Sequence, residues 1–217
     1  MDDFNYPVTV GLIAINVIVS LLAMNNQDML SKTLMWPYGV KRYNQLYRFI
    51  TSGFIHADYM HLFFNMFTLF FFGKLVEVYF SVYGLGGNLA YLALYFIGLV
   101  ASDIPTYIKQ KDNYNYHSLG ASGAVSAVVF SAIVFSTWSS IYIFGALKMS
   151  AFLYAVLYIF YCVYMAKKGG DNINHDAHLW GALFGLGFTI SLIAAMQPYL
   201  LELILDELMN PSLLGRD

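Results

Sequence analysis

Charged residues are scarce in this sequence. Asp, Glu, Lys and Arg make up only 11% of the 217 residues, against the roughly 25% that is usual in soluble domains. Hydrophobic residues make up 59%. This balance excludes an ordinary water-soluble globular domain. It predicts a membrane protein, because the lipid interior accepts long apolar helices and few charges.

Other deficits exclude further classes. The net charge of −2 and the scattered basic residues give no field that would attract nucleic acid. Cys162 is the only cysteine, so neither an internal disulfide nor a cysteine metal cluster is expected, and Cys162 itself should face lipid or fill the core. The first residues lack the basic region of a signal peptide, so we expect the first apolar segment to be retained.

Six apolar segments predict an all-α, polytopic membrane protein with six transmembrane helices, forming a single domain over residues 1–217. The expected spans are residues 8–24, 60–80, 85–102, 122–138, 149–166 and 175–198. Pro105 is expected to end the third span, and residues 139–148 should form a turn. Residues 25–59 are too polar to span and should form a structured interfacial loop, since aromatic and basic residues alternate there.

The first candidate site is Gly120-Ala121-Ser122-Gly123, at the start of the fourth predicted helix. A serine there suits acyl chemistry, because free N–H groups and the positive dipole end of a helix stabilise a developing oxyanion. Gly120 would permit unusual backbone angles, and Gly123 would let another helix approach. The alternative is that these residues and the nearby alanines form only a small-residue packing face.

The second candidate site, from His175 to Gly181, opens the sixth predicted helix. Gly181 and Gly185 form a close-packing pattern that suits the small face of the fourth helix. This contact would bring His178 near Ser122, where a neutral imidazole can accept the hydroxyl proton.

A structural role for His178 is the alternative, and so is metal binding by His175 and His178. The sequence offers no His-Glu-x-x-His pattern and no third convergent ligand, so we expect no metal. Asp176 cannot face His178 from two positions away on a helix, and we expect it to cap the helix. The prediction is therefore a Ser–His dyad.

The third candidate site comprises His56, His61 and Asn65. His61 and Asn65 are four residues apart and share a helical face. An amide aimed at a forming oxyanion is worth about 10²- to 10³-fold in rate. The alternative for Asn65 is a hydrogen bond that only ties helices together.

These motifs resemble those of the rhomboid family of intramembrane serine proteases. The chain carries His61-x-x-x-Asn65, Gly120-x-Ser122-Gly123 and Ala177-His178-x-x-Gly181-x-x-x-Gly185 among six predicted spans. The resemblance covers the whole chain. In addition, Tyr47-Arg48 falls where rhomboids usually have Trp-Arg, and Glu77 falls where their second helix often ends in a glutamate.

The resemblance implies a serine endopeptidase without a cofactor that cleaves transmembrane segments of membrane proteins in the bilayer. Ser122 would be the nucleophile and His178 the base. The oxyanion site would comprise Asn65, His61 and the Ser122 N–H, with Gly120 beside them. The expected location is a bacterial inner membrane, and the oligomeric state stays open.

One departure concerns the aromatic residue that many rhomboids have four positions after the serine, where it stacks on the catalytic histidine. Here that residue is Ser126, and Phe130 and Trp180 are the candidate substitutes. Two other functions stay open. One is a non-catalytic rhomboid-like protein that binds transmembrane helices, which the presence of Ser122 and His178 disfavours. The other is a small-solute transporter, which the absence of inverted or repeated segments disfavours.

The sequence gives two conflicting predictions of the orientation of the protein in the membrane. The resemblance implies a cytoplasmic N-terminus, with the cavity of Ser122 opening on the opposite side. The positive-inside rule favours the reverse. In the orientation implied by the resemblance, eight basic residues lie outside (Lys32, Lys41, Arg42, Arg48, Lys109, Lys111, Lys167 and Lys168) and three inside (Lys74, Lys148 and Arg216). We favour the resemblance, because four of the eight lie in the long first loop.

Overall fold

The computed structural model describes residues 6–143 and 147–216. Residues 144–146, within the turn predicted over residues 139–148, lie outside the described residues. The helices are α1 (Pro7–Met24), α2 (Gln27–Thr33), α3 (Pro37–Tyr43), α4 (Arg48–Thr51), α5 (Tyr59–Val82), α6 (Gly87–Gln110), α7 (Ser122–Phe135), α8 (Ala151–Lys168), α9 (His175–Met196) and α10 (Tyr199–Leu208). A 3₁₀ turn at Ser52–Phe54 follows α4, and strands β1 (Ser140–Ile143) and β2 (Leu147–Ser150) lie between α7 and α8.

Five of the described helices are long and apolar enough to cross a membrane. These are α1, α5, α6, α8 and α9, with mean hydropathies between 1.3 and 2.2. They match five of the six predicted spans, which confirms a helical polytopic membrane protein. The count of six itself stays a prediction.

The fourth predicted span, α7, is a shorter helix at the centre of the bundle. It has 14 residues, which at about 1.5 Å per residue gives a length of about 21 Å. Every residue from Gly123 to Val134 is buried. An apolar helix that is buried all round is a core helix, so α7 contacts other helices rather than lipid.

The structure differs from the sequence prediction at one helix end, at the turn after α7, and in one helix that was not predicted. Pro105 lies inside α6, which continues to Gln110, because the helix beyond it is fixed by packing: Thr106 is buried and donates a hydrogen bond to Asn174 Oδ1 at 2.9 Å. Part of the turn predicted over residues 139–148 is an antiparallel hairpin, with Ser140 opposite Ser150, which adds two short strands to an otherwise helical fold. Helix α10, which follows the last predicted span, was not predicted from the sequence.

The loop over residues 25–59 is structured, as predicted, since it contains α2, α3 and α4. Arg48 holds it together from within: only 4% of Arg48 is exposed, and its guanidinium donates to the backbone carbonyls of Ser31 at 3.1 Å and Leu34 at 2.6 Å. Met35 pairs with Ser118 in a short antiparallel bridge. The loop is thereby joined to the segment that leads into Ser122.

Glu77 connects α5 to the beginning of α1. Its buried carboxylate accepts hydrogen bonds from the Val8 N–H at 2.9 Å, the Thr9 N–H at 2.8 Å and the Thr9 hydroxyl at 2.7 Å. The first N–H groups of a helix have no partner within the helix and carry partial positive charge. Glu77 therefore caps α1 and fixes it against α5.

Candidate active site

Helices α5, α7 and α9 all begin at the same end of the bundle. Asp58 caps α5 by accepting from the His61 N–H at 2.8 Å, and Asn174 caps α9 by accepting from the Ala177 N–H at 3.1 Å. Helix α7 has no side-chain cap. The N–H groups of its first turn are thus available to an anionic ligand, with the positive ends of three helix dipoles nearby.

The capping role predicted for Asp176 is wrong. Asn174 occupies the cap position, one residue before α9 begins. Asp176 instead pairs with Lys109 at 2.6 Å. A cap and an acidic residue in the first turn look alike in a sequence, because both favour the positive end of a helix.

Ser122 is the first residue of α7 and is half-buried. Beside it lies a cavity of about 20 Å³, lined in part by Ser102, Asp103, Ser118, Ser122 and Asn174. A polar cavity of this volume can hold one water molecule. The nucleophile candidate therefore lies beside space for a hydrolytic water.

Helices α7 and α9 are in backbone contact through glycines. A Cβ at Gly181 would lie 2.1 Å from the Gly123 carbonyl oxygen, and a Cβ at Gly185 would lie 2.1 Å from the Ala127 carbonyl oxygen. This confirms the predicted contact between the two small faces. His178 is three residues before Gly181 on α9, so the contact holds it at the end of α7 where Ser122 lies.

The Ser122 hydroxyl and the His178 ring are not hydrogen-bonded to each other, and within residues 6–143 and 147–216 no carboxylate is hydrogen-bonded to His178. In unliganded enzymes, catalytic hydrogen bonds are often long and tighten when the substrate binds. The arrangement is consistent with a dyad and provides no third member of a triad.

Tyr158, on α8, is the aromatic residue that stacks on His178. The two ring centroids are 6.4 Å apart and the ring planes differ by 17°. The Tyr158 hydroxyl is hydrogen-bonded to Ser126 Oγ at 2.7 Å. Ser126, the position where many rhomboids have an aromatic residue, thus anchors an aromatic residue from another helix.

The two substitutes suggested by the sequence do not take this place. Phe130 packs against the Tyr158 ring, with the ring centroids 5.5 Å apart. Trp180 is 45% exposed on the outside of α9. The signal in the sequence is Ser126 itself, because a polar side chain in an apolar helix usually has a polar partner. Which of the 18 tyrosines supplies that partner depends on how α8 packs.

His61 and Asn65 share a face of α5, and the His61 end of that face lies against the segment that leads into Ser122. Asn65 is buried and donates one amide hydrogen to the His61 carbonyl oxygen at 3.0 Å, which leaves its second amide hydrogen available. The His61 ring lies over Gly120, where a Cβ would be 2.7 Å from Cε1. The predicted unusual backbone at Gly120 is confirmed by a φ of +116°.

The N–H of Gly120 is not available for an oxyanion. It donates to the Ser52 carbonyl oxygen at 2.9 Å. Gly120 therefore contributes room for the His61 ring and a backbone conformation that other residues rarely adopt.

His56 supports the segment before Ser122. It is fully buried, its Nδ1 is 2.8 Å from Ser20 Oγ, and its Nε2 faces the Ala121 N–H at 3.5 Å. Because Ser20 donates to the Phe54 carbonyl, the consistent tautomer has the proton on Nδ1 and an accepting Nε2. Burial and then the neighbouring His61 lower the pKa of His56 to about 3, so this ring is neutral at physiological pH.

The fold and this site define a polytopic membrane protein with a serine and a histidine facing the same polar end of the bundle. Residues 43–195 match the Rhomboid domain family. The chain belongs to the rhomboid family, whose members are generally intramembrane serine proteases.

Among curated proteins, the chain is similar to two from Arabidopsis thaliana. It is 28% identical to RHOMBOID-like protein 12, mitochondrial, over 81% of this chain and 55% of that protein. It is 33% identical to Rhomboid-like protein 11, chloroplastic, over 64% of this chain and 50% of that protein. The chain thus spans about half the length of these relatives.

A bacterial relative is matched over a shorter region. The chain is 31% identical to Rhomboid protease GlpG of Serratia proteamaculans (strain 568), over 33% of this chain and 26% of that protein. Two of the three relatives carry organelle names, so the relatives do not support the expected bacterial inner membrane. An integral membrane protein is what the apolar helices support.

Proposed function

We propose that this protein is an intramembrane serine endopeptidase that cleaves transmembrane segments of other membrane proteins with a Ser122–His178 dyad. The observation that carries the proposal is the glycine contact between α7 and α9. That contact brings a helix-initiating serine and a histidine to the same end of the bundle. Membership of the rhomboid family supports the same chemistry.

In the proposed first step, His178 accepts the proton of the Ser122 hydroxyl while Oγ attacks the carbonyl carbon of the substrate peptide bond. The negative charge that develops on the carbonyl oxygen is stabilised by the uncapped N–H groups of α7 and by the second amide hydrogen of Asn65, with His61 beside them. His178 then gives its proton to the leaving amine, which completes the acyl-enzyme.

In the second step, water replaces the leaving amine. The small polar cavity beside Ser122 is the proposed source of that water. His178 takes a proton from the water, hydroxide adds to the acyl carbon, and the ester bond to Ser122 breaks with return of the proton to Oγ.

The proposed substrates are transmembrane segments that unwind locally. In a regular helix every backbone carbonyl is hydrogen-bonded, so a peptide bond must leave the helix before Ser122 can attack it. Gly or Pro near the cleaved bond makes this step easier. Replacing that stretch of a cleaved reporter segment by leucines should stop cleavage, and undiminished cleavage would overturn this preference.

The nucleophile is tested by labelling the purified protein in detergent with a fluorophosphonate, which reacts only with an activated hydroxyl. Labelling should map to Ser122 by mass spectrometry of the peptides. Ser122→Ala and His178→Ala should each abolish it while the thermal unfolding temperature stays near that of the wild type. A chelator should not lower labelling, because no metal takes part in the proposed reaction. Full labelling of Ser122→Ala would refute the assignment.

We further propose that the Ser122 cavity opens on the side of the membrane opposite the N-terminus. In a Cys162→Ser background, a membrane-impermeant maleimide added to intact cells should label Asp112→Cys and not Ser139→Cys. Both positions are exposed. Asp112 is ion-paired with Lys41 of the first loop, whereas Ser139 directly precedes β1. The reverse labelling pattern would show that the count of basic residues was the better guide.

A further inference from the structure

A cluster of potential metal ligands lies next to the proposed base. Cys162 of α8 and His175 and His178 of α9 each offer one ligand atom, and these three atoms lie within 4.8 Å of one another. The sequence suggested two of these ligands and no third. The third, Cys162, is brought in by the packing of α8 against α9 and is fully buried there, which also shows that it fills the core rather than facing lipid.

His175 has one nitrogen that lacks a partner. The residue is 4% exposed, and its Nε2 lies 3.0 Å and 3.2 Å from the two carboxylate oxygens of Asp171. Its Nδ1 is buried without a hydrogen-bond partner. A ring that donates from Nε2 to a carboxylate has a lone pair on Nδ1, and leaving that lone pair buried and unpaired costs free energy.

This is the pattern of a histidine prepared for a metal ion. Metal-binding histidines commonly donate their second nitrogen to a carboxylate, which fixes the tautomer and makes the other nitrogen a better ligand. Here Asp171 is that carboxylate.

The cluster can also be reached from outside the helices. A cavity of about 210 Å³ is lined by Asp171, His175 and Asp176, among others. The Asp171 carboxylate attracts cations, whereas Asp176 is paired with Lys109, which also lines the cavity. The cavity thus borders His175 and its Asp171 partner, at one edge of the three-ligand cluster.

We propose that Cys162, His175 and His178 form a binding site for a thiophilic divalent cation of the zinc type, and that the bound ion inhibits the enzyme by occupying His178. Zinc accepts one thiolate and two imidazoles, with bonds of about 2.3 Å to sulfur and about 2.0–2.1 Å to nitrogen. In a tetrahedral site the ligand atoms are then about 3.4–3.6 Å apart. The three atoms must therefore draw together by at most about 1.3 Å, which side-chain rotation can supply.

The inhibitory part of this inference rests on the proposed function. Binding releases the thiol proton of Cys162 and uses a nitrogen lone pair of His178. That ring is then less able to accept the proton of Ser122, and it is drawn toward α8. The site is reversible, because protons compete with the ion for all three ligands.

Binding is tested first, without reference to activity. Purified protein in detergent is titrated with Co²⁺, which reports a thiolate ligand by a charge-transfer absorption band, and zinc should displace the cobalt at one equivalent. Cys162→Ser should abolish the band, and Asp171→Asn should weaken cobalt binding by about 10-fold or more, the usual effect of losing a supporting carboxylate. Absence of a one-equivalent band in the folded wild type would overturn the site.

Inhibition is tested second, by the rate of fluorophosphonate labelling of Ser122 at increasing Zn²⁺. Zinc should slow labelling of the wild type, and Cys162→Ser should need at least about 10-fold more zinc for the same fractional inhibition, each protein being compared with its own rate in chelator. His117→Ala is the matched control, since His117 is an exposed histidine that is not one of the three ligands and is stacked on Trp36, and should leave the zinc response unchanged. Equal inhibition of the wild type and Cys162→Ser would place the zinc elsewhere and refute the proposal.

The two proposals fail in different ways. If the cobalt band appears and depends on Cys162 but Ser122 never labels even in chelator, the metal site stands and the protease proposal fails. If Ser122 labels and no cobalt band forms, the protease proposal stands and the metal site fails.

Discussion

Gly181 carries the contact on which the proposed dyad depends, and its substitution by alanine has a calculable effect. A Cβ at Gly181 would lie 2.1 Å from the Gly123 carbonyl oxygen, while contacts of real Cβ atoms essentially never fall below 3.0 Å. The obstacle is backbone, so α9 has to move away from α7 by about 0.9 Å. His178 is on the same helix, one turn away, and moves with it.

The expected loss of rate follows from that displacement. A misplacement of about 1 Å in a catalytic constellation costs about 10²-fold in rate, and overpacking of this kind costs about 1–3 kcal/mol of stability. Gly181→Ala should therefore lower the rate of Ser122 labelling by a fluorophosphonate about 100-fold, with a lower unfolding temperature. The rate is measured per folded molecule in detergent, at a temperature well below the unfolding transition of the variant.

Gly187→Ala is the matched control on the same helix. A Cβ there meets nothing within 4 Å, and alanine is favoured over glycine in a helix by about 0.5–1 kcal/mol. This variant should label like the wild type and be equally or slightly more stable. If Gly181→Ala labelled within about threefold of the wild-type rate, the reasoning that the glycine contact sets the dyad geometry would be refuted.

Three further predictions concern the residues around the dyad. Asn65→Ala should lower turnover of a cleaved reporter segment by about 10- to 10³-fold with little change in unfolding temperature; unfolding with unchanged turnover per folded molecule would make Asn65 a structural tie. Tyr158→Leu should lower kcat about 10-fold and shift the pH–rate profile by exposing His178, whereas Tyr158→Phe keeps the ring and should retain most activity; equal effects of the two would refute a positioning role for the ring. Because the pKa of His56 falls from about 6.5 in the unfolded chain to about 3 in the fold, its stabilising contribution is present above pH 6.5 and is lost as pH falls toward 3. Unfolding temperature should thus fall less steeply across this range in His56→Gln than in the wild type, and parallel curves would contradict a neutral buried His56.

The sequence by itself determined which parts of the chain form membrane helices and which polar residues interrupt them. Apolar length decides whether a segment can cross a bilayer. The ends of the five spans were therefore predicted to within two residues, except for the end of α6 at Gln110. The same logic singled out Ser122, His178, His61 and Asn65, because strongly polar residues in apolar helices are rare and costly. The spacing of Gly181 and Gly185 also predicted the α7–α9 contact correctly, since it reflects one helical face.

Apart from the α7–α9 contact, the tertiary structure decided which residues far apart in the chain become neighbours. Pro105 looked like a helix end because its local cost is visible in the sequence, while the packing of Thr106 against Asn174 that outweighs it is not. Tyr158 and Cys162 are unremarkable members of an apolar helix until α8 packs against α9. That packing sets the Tyr158 ring on His178 and the Cys162 thiol beside two histidines, because side-chain neighbours across helices follow from the rotation and depth of each helix, which periodicity alone does not fix.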